Sequence, residues 1–96
     1  MGEKEWEQTM PLRLALTAKL SEHEQYMKGY LSGIQYAVSR MRIKDTIQEV
    51  QLRVMRDREI FEADRYVNDA DRGEHYKGYV AALTYALELI RTMKGP

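Results

Sequence analysis

Lys28-Gly29-Tyr30-Leu31-Ser32-Gly33-Ile34-Gln35-Tyr36-Ala37-Val38 returns later in the chain, without a gap, as Lys77-Gly78-Tyr79-Val80-Ala81-Ala82-Leu83-Thr84-Tyr85-Ala86-Leu87. Lys, Gly, Tyr, Tyr and Ala are identical, and Leu31/Val80, Ile34/Leu83 and Val38/Leu87 exchange one apolar residue for another. In the same register Met41 meets Ile90 and Arg42 meets Arg91. Two amphipathic helices share apolar positions by chance, but they seldom place a glycine between Lys and Tyr twice. Glycine inside a helix costs about 1 kcal/mol relative to alanine, so a reason is expected. Gly29, Gly33 and Ala37 lie four apart on one ridge, and Gly78, Ala82 and Ala86 form its counterpart. Small residues at that spacing let two helix backbones approach closely, and the added van der Waals contact offsets the propensity cost. These two helices are therefore expected to make the tightest helix–helix contact of the fold, with each other or across a symmetric dimer.

Outward from the first copy, the apolar stripe is regular: Leu16, Leu20, His23, Met27, Tyr30, Ile34, Ala37 and Met41. The spacings alternate four and three, which is a heptad seam. Ser21-Glu22-His23-Glu24 has the form of a capping box, at which a first helix would bend or split, but the unbroken seam favours one long helix. Thr9 fits an N-cap with Pro11 in the first turn, leaving residues 1–8 as a charged, flexible lead-in with Trp6 its one anchor. After Met41 the phase changes, and Ile43, Ile47, Val50, Val54 and Phe61 make a new stripe. A turn over Arg42 to Asp45 follows, with Asp45 and Gln48 in capping roles and a second helix over 46–67. Its charged residues, Arg53, Arg56, Asp57, Arg58, Glu59, Glu62 and Arg65, read as a solvated outer face. Asn68-Asp69-Ala70-Asp71-Arg72-Gly73 reads as an inter-helix turn; Ala70, Arg72 and Tyr79 fall where a calcium loop needs oxygen ligands. A last helix is expected over 74–93, with Gly95 as its stop. The fold class is all-α, a small bundle of three long helices containing a duplicated helix motif, with 9–96 as one domain. At 96 residues, such a domain is marginal alone, which favours a homo-oligomer.

Composition excludes several functions. The absence of cysteine removes disulfides, thiolate metal sites and thiol catalysis. Fifteen basic residues balance fifteen acidic ones, without the basic excess of a general nucleic-acid binder, so nucleic acid is an unlikely partner. No apolar run approaches the roughly 18–20 residues needed to span a bilayer, and the polar opening Met1–Glu5 offers no signal-peptide core. No membrane partner is expected, and the location is expected to be cytoplasmic, the host cytoplasm if the protein is viral. Of the histidines, His23 sits on the seam, and only Asp71 with His75 has a ligand-like spacing, too little to hold a metal. The carboxylates of the second helix lack an apolar setting that would tune them. No enzyme activity, metal or cofactor is expected.

What remains is tyrosine and arginine. Seven tyrosines stand against one phenylalanine, and Tyr26, Tyr30, Tyr36, Tyr76, Tyr79 and Tyr85 fall in the two repeat helices. A buried Tyr needs a partner for its hydroxyl, so this preference suits either core aromatics with their hydroxyls at the rim or a wet, interfacial site that stacks a planar ligand or anchors a protein. Arg40, Arg42, Lys44, Arg53, Arg56 and Arg58 gather around the first turn. With Tyr36 they would grip a planar anion by stacking and charge, although a salt-bridged helix surface explains them as well. The candidate ligand- or partner-binding residues are Tyr30, Tyr36, Tyr79, Tyr85, Arg40, Arg42 and Arg91.

Through Lys28-Gly29-Tyr30…Tyr36-Ala37 and its second copy, the chain resembles the small helical accessory proteins of tailed phages of Gram-positive bacteria. The resemblance covers a minor part of the chain and transfers no functional residue. It implies an accessory, anti-defence protein that acts on a host protein by binding. Some phage proteins of this size form helical oligomers that sequester nucleotide immune signals, which implies the alternative of a sponge with Tyr- and Arg-lined pockets between subunits.

Overall fold

The computed structural model describes the backbone of residues 3–41 and 47–93 and the side chains of residues 10–40 and 49–93. It holds three helices, α1 (Glu3–Met41), α2 (Ile47–Arg65) and α3 (Ala70–Met93), with no strand among the described residues. The expected turn over Arg42–Asp45 lies outside them, as do Ile43, Lys44 and the side chains of Trp6, Thr9, Met41, Ile47 and Gln48.

α1 is continuous through Ser21, as the seam favours. It begins at Glu3 rather than at Thr9, so residues 3–8 are helical and Pro11 lies inside the helix. The stretch before Pro11 holds no helix breaker, and the proline removes one backbone donor without ending the run. Thirty-nine helical residues span about 58 Å, and α1 accordingly sets the 65 Å length of a molecule only 25 by 23 Å across.

α3 starts at Ala70, inside the stretch expected to be loop. Asp69 caps it, accepting the Arg72 N–H at 3.2 Å, and the Asp69 carbonyl accepts the Gly73 N–H at 2.7 Å. Gly73 is thus a buried helical residue and not a turn glycine. The cap was masked in the sequence by the run of turn-forming residues around it.

The two repeat segments meet within one chain. A Cβ placed on Gly29 would collide with the carbonyl oxygen of His75, and one on Gly78 would collide with that of Tyr26. Both pairs are reciprocal: His75 follows Tyr26, and Gly78 follows Gly29, by the same 49 positions that separate the copies. A Cβ on Gly33 would lie 2.6 Å from the Cβ of its own counterpart, Ala82. α1 and α3 therefore run parallel and in register about a local twofold, and bare glycine Cα atoms face carbonyls across the crossing. Such close crossings carry Cα–H···O contacts that larger side chains forbid.

α2 runs back along one side of this pair and packs mainly on α3. Leu52 and Leu83, both 0% exposed, form the core with Ala37, Ala86 and Leu87, flanked by Tyr36, Met55, Tyr79 and Ile90. The rotation of α2 overturns the expected stripe. Val50, Val54 and Phe61 face outward, 56%, 63% and 67% exposed, while Glu59, assigned to the solvated face, is buried. The inward positions Leu52, Met55, Glu59 and Ala63 also recur every three or four residues, and Tyr66, just past the helix, stacks on Tyr76 with centroids 5.7 Å apart. Two stripes competed on one helix, and the one that meets α3 prevailed.

Candidate functional site

The structure gathers three of the candidate residues at the junction of the helices. Tyr36 and Tyr79, one from each copy, lie 6.3 Å apart at a tilt of 49°, and the Arg40 guanidinium stands 5.1 Å from the Tyr36 ring. Tyr36 and Tyr79 border the core, packed against the cluster that includes Leu52 of α2. Burial raises the Tyr79 phenol above its ordinary value, with Glu59 and Tyr36 adding to the rise and Arg40 and Arg58 opposing it. Glu59 is raised chiefly by burial and further by Glu62, against the lowering pull of Arg58. The Arg40 Nε is buried without a hydrogen-bond partner. Two tyrosines, an arginine and a buried carboxyl thus share one small, partly desolvated spot. It has the parts to stack and orient a group, and among the described residues it holds no nucleophile paired with a base.

Other candidates stay apart. Tyr30 is half-buried along the α1–α3 crossing. Tyr85, the repeat counterpart of Tyr36, is 53% exposed, because α2 covers only one side of the pair. Arg91 is exposed and held by Glu88 at 2.9 Å on its own helix. Arg42 lies outside the described residues. Arg53 is exposed and paired to Glu49 at 3.0 Å as salt-bridged helix surface, whereas Arg56, 3.6 Å from Asp57, is half-buried and its Nε, like that of Arg40, has no hydrogen-bond partner. Sequence reasoning passed over Tyr66, whose ring stacks on Tyr76 and carries the Arg65 and Arg72 guanidiniums at 5.5 and 5.2 Å. Its spacing from Ala63 and Glu59 was the available signal.

Apolar surface is the other feature of note. On α1, residues 11–20 are exposed at every position, and Leu12, Leu16 and Leu20 are 57–63% exposed. The helix projects past the bundle there, since α3 starts opposite Ser21, whose hydroxyl donates to Asp71 Oδ1 at 3.4 Å. Where α3 begins, Leu16, Leu20, His23, Tyr26 and Glu74 line an open groove of about 720 Å³. On the outer side of α2, Ile60, Phe61 and Val67 line a second groove of about 470 Å³, rimmed by Asp57, Asp64 and Lys77. Among the described residues no group of His, Asp and Glu comes together as a metal site requires, and no helix is long and apolar enough to cross a membrane.

Comparison of the chain with protein-family models, with curated proteins and with solved structures finds no match.

Proposed function

We propose that this chain is a non-enzymatic, homo-oligomeric accessory protein that works by binding a protein partner, a host protein if its origin is a phage. The observation that carries this reading is the outer face of α2. Val50, Val54, Ile60 and Phe61 are all exposed on a helix whose other side is already packed on α3, and Val67, in the turn just past its end, is exposed as well. An apolar centre with a charged rim is the anatomy of a protein interface, and an exposed aromatic is its usual anchor. The test is co-purification from cells with the wild-type chain and with Phe61→Asp. A protein held by the wild type and lost with Phe61→Asp, the melting temperature being unchanged, is the expected result. A partner retained by Phe61→Asp, or none captured by either, would overturn the assignment to this face.

The buried, unbonded Arg40 Nε beside Tyr36 and Tyr79 favours one second reading, the sequestration of a nucleotide-like anion. A ligand bound there would raise thermal stability with the logarithm of its excess over its dissociation constant.

A further inference from the structure

Beside the glycine ridge, the α1 stripe that carries Met27 and Val38 has no occupant among the described residues, and its position in the repeat indicates what fits it. Met27, Ile34 and Val38 are the α1 counterparts of Tyr76, Leu83 and Leu87 on α3. α2 fills that face of α3, running antiparallel, with Tyr66 on Tyr76 and Leu52 in the cluster with Leu83 and Leu87. The same face of α1 is open: Met27, Leu31 and Val38 are 50%, 57% and 51% exposed. A local twofold that equips both helices alike leaves α1 with a vacant seat for an antiparallel helix.

The overhang supplies such a helix. Leu12, Leu16 and Leu20 continue the open stripe onto the overhang of α1, where every position from 11 to 20 is exposed. An isolated helical segment of this length is marginal in water and is normally stabilised by packing one face. We propose that two copies of this chain pair through α1, antiparallel, so that the overhang of each covers the vacant seat of the other. This rests on the homo-oligomer part of the proposed function and assigns its surface.

The register follows from the heptads. In an antiparallel pair centred near Gln25, Leu12 faces Val38, Leu16 faces Ile34, Leu20 faces Tyr30 and His23 faces Met27. Apart from His23, every position along the seam is apolar or aromatic, and the spacing of four and three is the one that keeps two helices in continuous contact. The arrangement is isologous and closes as a dimer. Leu12, Leu16, Leu20, Met27, Leu31 and Val38 are 50–63% exposed, which at about 110 Å² for a fully exposed side chain makes roughly 400 Å² of apolar surface per copy. That is close to the apolar share of an interface of roughly 800 Å² per partner, the size of a stable complex.

The cysteine-free sequence makes the test clean. Leu16→Cys and Ile34→Cys are prepared singly and co-refolded together, then oxidised mildly. Disulfide-linked dimer is expected in the mixture at about tenfold the yield of either variant alone, because cysteines cross-link only when their Cα atoms lie within about 7 Å. Cross-linking of each single variant with itself would mean a parallel pair and would overturn the register. In parallel, sedimentation of the wild type should give twice the chain mass, and Leu16→Glu/Leu20→Glu should weaken dimerisation about 100-fold or more while the melting of the bundle persists. A wild-type monomer at about 100 μM, or a dimer undiminished in the double variant, would overturn the proposal, since a dimer using this seam should be populated well below that concentration. Phe61→Asp should remain dimeric, so loss of the partner at α2 and loss of the pair at α1 are separate outcomes.

Discussion

α1 and α3 carry a matching eleven-residue stretch, 28–38 and 77–87, in two different surroundings. Around the glycine ridge the copies are equivalent, and each places a bare Cα against the carbonyl of its mate. A turn away they diverge: Leu87 is 8% exposed beneath α2, whereas its counterpart Val38 is 51% exposed. Tyr36 lies at the core while Tyr85 stands in solvent. Identical residues thus acquire different roles because a third helix can cover only one side of a twofold pair. The small-residue ridge builds the domain, and the large apolar stripe beside it is satisfied on one copy and spare on the other.

The largest expected effect contrasts those counterparts directly. Leu87→Ala should cost about 2–5 kcal/mol of unfolding free energy, as a large-to-small change in a packed core does. Val38→Ala, measured in chemical denaturation at a dilution that keeps the chain monomeric, should stay within about 0.5 kcal/mol. Equal costs would mean that the open face of α1 is packed in the monomer, and the comparison would fail.

A smaller effect concerns the carboxyl that α2 turns inward. Burial lifts the folded pKa of Glu59 above its ordinary 4.5. A carboxyl with a raised folded pKa contributes stability that is complete below the unfolded value and is lost as pH rises through the folded one. Glu59→Gln should therefore raise the melting temperature at pH 7 by a few degrees, and the gain should fade as pH drops below that ordinary value. A gain that persisted at low pH would point to packing instead of charge.

The parts of this fold legible in the sequence are those written as local oddities. Glycine twice between Lys and Tyr signalled the crossing, and the unbroken seam signalled that α1 would not split at Ser21. The rotation of α2 was not legible. Val50, Val54 and Phe61 are all apolar, whereas the charged Glu59 and the small Ala63 interrupt the inward stripe, so local pattern favoured the one that faces outward. Contacts far along the chain decided the matter, namely Leu52 with Leu83 and Leu87 and Tyr66 with Tyr76. The start of α3 was hidden for a similar reason, since Asp69 caps a helix amid residues that also make turns. At the candidate site, Tyr36 and Tyr79 were found as tyrosines of the two repeat segments, and Arg40 as a member of the basic cluster around the first turn. Tyr85 and Arg91 were included on the equivalence of the copies, which α2 breaks.

The claim on which everything else depends is the parallel, glycine-mediated pairing of α1 with α3 inside one chain. Its most direct measurement is the unfolding free energy of Gly29→Ala and Gly78→Ala, each alone. On an exposed helix, replacing glycine by alanine stabilises by up to about 1 kcal/mol. Here the added methyl meets a carbonyl of the facing helix, so each variant should instead lose about 1–3 kcal/mol, by similar amounts because the two sites are equivalent. A gain in stability at either position would contradict the account.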